Sequence, residues 1–142
     1  MYIFESWCVM TRKQAREEAF ILIFEKEFND YALEDILSLA EEVRDLKVDE
    51  YIKNVFFGVF VNLEKIDEII SQNAVGWSIK RITKTALAIL RLAIYEIKFY
   101  SEIPVSVSIN EAVELAKKYA TKEDASFING ILSTVAKQNE DE

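Results

Sequence analysis

The sequence predicts an all-α fold, a single compact domain of about six or seven helices, on three observations. Apolar residues recur at helical spacing along nearly the whole chain. Only three glycines and one proline punctuate 142 residues, too few turn signals for a protein of short strands. The composition, 51% hydrophobic and 30% charged, suits a chain that buries one core, and no linker, repeat or low-complexity tract divides it.

The elements follow in order. From Thr11, the residues Ala15, Ala19 and Ile23, with Phe20 and Leu22 beside them, define a first helix that Asn29 and Asp30 stop. A second runs from Leu33 to Leu46 through Ile36, Leu37, Leu39, Ala40 and Val43. The spacing of Ile52, Val55, Phe56, Val59, Phe60, Leu63, Ile66 and Ile70 predicts one long third helix from Asp49 to Asn73, with Gly76 as its C-terminal cap. Residues 83–100, "TKTALAILRLAIYEIKFY", are apolar on nearly every side, which marks a central helix surrounded by others.

Pro104 ends that helix, because proline disfavours helix in the residue before it. Ser108-Ile109-Asn110-Glu111 has the form of a capping box and is expected to open the next helix, with Ile109, Ala112, Val113, Ala116 and Tyr119 on one face. Thr121 to Asp124 opens the last in the same way and carries it to about Lys137. Residues 10–138 are thus read as the helical domain and 139–142 as an acidic tail. Residues 1–9, "MYIFESWCV", are apolar without a basic n-region, so no export is expected of them. They read either as a short extension or as an apolar tail packed onto the helices.

Histidine is absent and Cys8 is the one cysteine, which excludes the usual zinc ligand sets, Cys-His or Ser-His nucleophilic pairs and an intrachain disulfide. No cofactor is expected, and a reducing cytoplasm fits. The apolar run Ala86 to Leu90 is interrupted by Arg91, and no apolar run in the chain approaches the roughly 20 residues that span a bilayer.

The net charge is -8, but it is distributed unevenly. Residues 25–75 hold 13 acids against 5 bases, whereas residues 77–101 carry Lys80, Arg81, Lys84, Arg91 and Lys98 against Glu96 alone. The first helix opens on Arg12, Lys13 and Arg16, cations at the positive end of its macrodipole, a placement that costs about 0.3–1 kcal/mol each at an exposed site. The free backbone N–H groups that repel cations there attract phosphate, so the cluster reads either as a solvated charge group or as an anion site.

"TRKQAR" at 11–16, "WSIKRI" at 77–82, "ILRLAIYE" at 89–96, "IPVSVSINEAVELAKKY" at 103–119 and "FINGIL" at 127–132 resemble, in order and spacing, the bacterial transcription antitermination factors of the NusB family. The resemblance covers Met10 to about Lys137, and the last two stretches are the most specific. It implies an all-helical adaptor, not an enzyme. Such a protein pairs with the small-subunit ribosomal protein NusE and holds the boxA sequence of a nascent transcript on elongating RNA polymerase, chiefly in ribosomal RNA operons. It also implies RNA contact by Arg12, Lys13 and Arg16, base contact by Phe127 and polar contact by Asn129. Members occur as monomers and as homodimers that cover the basic helix start.

Phe127 is also spaced with Ile131 as i and i+4, which suits a core phenylalanine equally well. Gly130 inside a helix costs about 1 kcal/mol relative to alanine, and close approach of a neighbouring helix or of RNA would account for it. Two departures from the family pattern stand out. Ala86 replaces an acidic residue common five positions before the arginine of the "LR" pair, and Ser126 replaces a lysine. Arg91, on an otherwise apolar helix, requires an ion-pair partner, either Glu96 or Glu111, and Glu111 is expected because its helix must pack against this one.

The competing reading is a helical protein–protein interaction module without RNA binding. No enzyme is expected: 142 residues of helix leave no room for a cofactor-binding sheet, and three scattered glycines form no G-x-G-x-x-G loop.

Overall fold

The computed structural model describes residues 10–140. Residues 1–9 and 141–142, including the expected extension and the end of the acidic tail, lie outside them. Seven α-helices and one turn of 3-10 helix make up the described chain: α1 (Arg12–Lys26), α2 (Leu33–Arg44), α3 (Glu50–Val61), α4 (Leu63–Asn73), the 3-10 turn Ile79–Arg81, α5 (Lys84–Phe99), α6 (Val105–Tyr119) and α7 (Lys122–Glu140). No strand occurs among the described residues, and no helix is long and apolar enough to cross a membrane.

α5 is the axis of the molecule. Every residue from Ala86 to Ile97 is buried, as its continuous apolar pattern requires, and the helix packs against α1, α3, α4, α6 and α7. Its start is set by Thr83, whose side chain accepts a hydrogen bond from the Ala86 N–H at 3.2 Å. α1 packs on α3 and α5, α6 pairs with α7, and α2 leans on α1, tied to it by Arg44 at 3.3 Å from Glu18 and 3.4 Å from Glu25.

The expected long third helix is two helices. The chain breaks at Asn62, whose backbone lies at φ -106° and ψ 18°, and whose side-chain amide donates to the Gly58 carbonyl at 2.8 Å. A side chain that competes for the backbone carbonyl in this way ends a helix from within. The break lets α3 lie on α1 while α4 turns onto α5 and α7.

The helix after Pro104 also differs from expectation. Proline fixes its own φ and lacks an N–H, so it suits a helix start, and α6 begins at Val105 with the Ser108 N–H bonded to the Pro104 carbonyl at 3.2 Å. Ser108 therefore lies inside the helix, and its hydroxyl points into the core instead of capping. The cap of α7 is as expected, with Thr121 Oγ1 accepting from the Asp124 N–H at 3.0 Å. The first residues assigned to an acidic tail, Asn139 and Glu140, continue α7. Gly76 sits two residues past the Ala74 cap of α4, at a φ of 82° that favours glycine.

Candidate nucleic-acid interface

α1 begins with a complete capping box: the Gln14 N–H donates to Thr11 Oγ1 at 3.1 Å, and the Thr11 N–H donates to Gln14 Oε1 at 2.9 Å. These two bonds fix the helix start and with it the directions of the three cations that follow. The structure divides them. Arg12 and Lys13 stand exposed, while Arg16, one turn on, is 3% exposed.

Arg16 thus corrects the expectation of a three-cation surface. Its Nε donates to Glu96 Oε2 at 2.8 Å and its terminal nitrogen to Oε1 at 3.4 Å, with both side chains buried. The Tyr51 hydroxyl donates to the same Glu96 Oε2, and the Ser108 hydroxyl donates to Oε1 at 2.7 Å. A carboxylate accepts about four hydrogen bonds, so Glu96 is saturated by groups from α1, α3 and α6. Burial alone would lower the pKa of Arg16, but the bonds and charge of Glu96 outweigh it and hold the guanidinium above its ordinary value. Burial, reinforced by the Glu96 charge, pushes the Tyr51 phenol far above its normal range, so it stays a donor at every working pH.

The position of Arg91 is a second correction. The residue is 5% exposed, and its guanidinium clamps Asp67, with Nε to Oδ1 and a terminal nitrogen to Oδ2 both at 2.9 Å, and also binds Glu27. Neither Glu96 nor Glu111 is its partner. Arg91 and Glu96 are five positions apart, which on a helix sets their side chains in different directions, so Arg91 faces the end of α1 and α4 while Glu96 faces the start of α1. Glu111 pairs instead with Lys13 at 3.4 Å, across the groove between α1 and α6.

That groove, about 300 Å³, is lined by Lys13, Glu17, Glu111, Glu114, Lys117 and Lys118 among others. Its charges are paired: Lys118 lies 2.6 Å from Glu17, which the Tyr119 hydroxyl also binds. The hydrogen bonds from Lys118 and Tyr119 hold the Glu17 carboxyl below its ordinary range. Lys117 lines this groove and the next, which runs between α6 and α7 and includes Asn110, Ser126 and Asn129.

Phe127 and Asn129 are separated by α7 itself. Residues two apart on a helix face nearly opposite ways. Asn129 is exposed in the α6–α7 groove, whereas Phe127 is half-buried on the other side, in a cleft of about 200 Å³ with Trp77, Arg81, Ile82, Thr83, Glu123 and Asp124. The Phe127 and Trp77 rings meet edge to face at 6.0 Å, and the Arg81 guanidinium lies over Trp77 at 5.7 Å from the ring centroid. Phe127 is therefore neither a core phenylalanine nor free in solvent. Trp77, 51% exposed, and Arg81 are candidate contact residues that sequence reasoning did not single out, although both fall in the "WSIKRI" stretch and in the basic segment 77–101.

A Cβ added at Gly130 would meet nothing within 4 Å, so close approach of another helix of this chain does not account for that glycine. Ala86 is wholly buried, which closes that position to a partner. Among the described residues no cluster of three or more Cys, Asp or Glu could hold a metal ion.

Residues 13–137 match the NusB family. The transcription antitermination protein NusB of Natranaerobius thermophilus is 47% identical over 134 residues, covering 91% of this chain and 96% of that protein. That of Acetivibrio thermocellus is 48% identical over 130 residues, covering 90% of each. Among solved structures, NusB of T. maritima superposes with a TM-score of 0.80 at 36% identity over 91% of this chain and 92% of that one. NusB in a crystal structure of antitermination factors NusB and NusE in complex with dsRNA superposes with a TM-score of 0.80 at 28% identity, over 89% of this chain and 96% of that one. A match that spans nearly the whole helical domain, at this identity and with this fold, makes the chain a member of the NusB family of transcription antitermination factors.

Proposed function

We propose that this chain is a transcription antitermination adaptor that binds boxA RNA together with the ribosomal protein NusE on elongating RNA polymerase, chiefly in ribosomal RNA operons. The observation that carries the reading is the near full-length match to NusB proteins, one of which has been solved with NusE and RNA. Arg12 and Lys13 supply phosphate contacts from the exposed start of α1. Asn129 offers an amide in the α6–α7 groove, and Phe127 with Trp77 and Arg81 offers a surface on which a base can stack.

The electrostatics set the affinity. Two exposed cations releasing counterions from single-stranded RNA give a salt slope of only about -1.4 in log-log form, at roughly -0.7 for each phosphate. Glu123 and Asp124 beside the aromatic cleft, and the acidic segment 25–75, oppose even that. Binding by the chain alone is weak, and a basic ribosomal protein that holds the same RNA at a second point raises it through effective concentration.

Titration of labelled boxA RNA with the chain alone, with NusE alone and with the mixture, across a range of salt, tests this. The expected result is tighter binding and a steeper salt slope in the mixture, with boxA preferred over a scrambled sequence. Equal affinity and slope with and without NusE would overturn the adaptor mechanism. Failure to bind any RNA while still binding NusE would leave a protein-interaction module.

A further inference from the structure

Arg12 occupies the first position of α1, where the helix dipole disfavours a cation, and among the described residues no carboxylate lies within ion-pairing distance of it. It rests instead on aromatic rings. Its guanidinium carbon is 4.5 Å from the centroid of Tyr51 on α3 and 5.6 Å from that of Tyr100 at the end of α5. The two rings meet edge to face, 5.7 Å apart with an interplanar angle of 77°.

We propose that Tyr51 and Tyr100 form an aromatic cradle that positions the Arg12 guanidinium to receive an RNA phosphate. The inference rests on the reading above that the start of α1 meets RNA, and adds to it which residues aim the contact. A guanidinium bonds to a ring through its flat face and to a phosphate through the N–H groups in its plane, so the two interactions are compatible on one side chain. The negative ring face offsets the unfavourable helix dipole without neutralising the cation, as a carboxylate would.

The cradle is rigid where it needs to be. Tyr51 is 3% exposed, and its hydroxyl is held by Glu96, which is held in turn by Arg16 and Ser108. The buried Arg16 thus serves the surface through Tyr51, whose ring its own guanidinium also approaches at 5.8 Å. An arginine whose rotamer is restrained before RNA arrives loses less side-chain entropy on binding than a freely solvated one. Lys13, 66% exposed and paired with Glu111 at 3.4 Å, has no such support.

The test is a double-mutant cycle on boxA RNA binding at low salt, using the full chain, with thermal unfolding followed for every variant. Tyr100 is half-buried at a helix end, so it is the ring to replace, while Tyr51 belongs to the core. Tyr100→Leu and Tyr100→Met should each weaken binding about two- to fivefold, the range of an exposed cation–π contact. Tyr100→Phe, which keeps the ring, should bind as the parent does. In an Arg12→Ala background, Tyr100→Leu should cause no further loss. Additive losses from Arg12→Ala and Tyr100→Leu would overturn the positioning role and leave the RNA-binding reading intact. Unchanged binding by Arg12→Ala would overturn both the phosphate contact at α1 and the cradle with it.

Discussion

Arg16 on α1 and Glu96 on α5 form an ion pair at 2.8 Å, with side-chain exposures of 4% and 0%. The pair joins the helix that carries the exposed cations to the axis of the fold, and a carboxylate stripped of its arginine there would stay buried with, among the described residues, Tyr51 and Ser108 as its donors.

Arg16→Ala should therefore destabilise the protein by about 3–5 kcal/mol, the usual cost of breaking one side of a buried pair. Replacing both partners by apolar side chains of similar size, Arg16→Met with Glu96→Leu, should cost less than the single Arg16→Ala change. Urea denaturation of the parent and the two variants is the measurement. A cost below about 1 kcal/mol for Arg16→Ala would show that the pair is solvated. Arg12→Ala with Lys13→Ala, by contrast, should leave the stability within about 0.5 kcal/mol of the parent, as surface changes do.

The Arg91 clamp predicts acid sensitivity. Burial would raise the Glu27 carboxyl, but the bonds and charge of Arg91 and Lys84 more than offset it and hold it below the ordinary value of 4.5. Glu17 is held low in the same sense by Lys118 and Tyr119. A carboxyl whose folded pKa is depressed contributes stability above its unfolded pKa, and that contribution is lost as pH falls through the folded pKa. Melting temperature should fall steeply as pH drops below about 4.5. Arg91→Met should be less stable at neutral pH and lose less on acidification, since part of the parent's advantage is already gone; parallel pH profiles would contradict this.

Two glycines should respond with opposite signs. A Cβ at Gly58 runs into the Tyr95 ring, which is fixed by stacking on Phe99 at 5.5 Å and by its hydroxyl at 2.5 Å from Asn54. Gly58→Ala should cost about 1–3 kcal/mol through overpacking. Gly130 lies exposed inside α7 with open space around it, so Gly130→Ala should stabilise the helix by about 0.5–1 kcal/mol. If that stabilised variant also binds boxA RNA less tightly, RNA approaches the backbone there; unchanged binding would show that the glycine is not needed for contact.

The cleft beside α7 predicts a loss specific to RNA. Trp77→Ala should weaken boxA binding by about 1–3 kcal/mol if a base stacks on it, and Phe127→Ala by a similar amount. With Trp77 half exposed, its replacement should leave the melting temperature nearly unchanged. Wild-type affinity in both variants, measured by the same titration, would remove the cleft from the interface.

Periodicity, the scarcity of glycine and proline and the apolar run from Ala86 to Leu90 were enough by themselves to determine an all-helical fold around α5, because a helix apolar on every side has no stable place except among other helices. The cap at Thr121 was equally legible, since capping is settled within one turn. The capping motif at Ser108 was misleading because a proline start four residues earlier and a buried carboxylate on another helix competed for the same side chain. Asn62 broke a helix whose apolar spacing was continuous, because a local side-chain bond to the Gly58 carbonyl leaves no trace in periodicity. Only the tertiary structure decided which cations face solvent. Arg12, Lys13 and Arg16 read as one cluster along the chain, yet Arg16 stands one turn further along the same face as Arg12, so Arg16 reaches Glu96 in the core while Arg12, at the open end of the helix, and Lys13 remain outside. The partners of Arg91, and the grooves that Phe127 and Asn129 enter on opposite sides of their helix, have the same cause: long-range packing fixes what each face of a helix meets, and no short stretch of sequence contains that information.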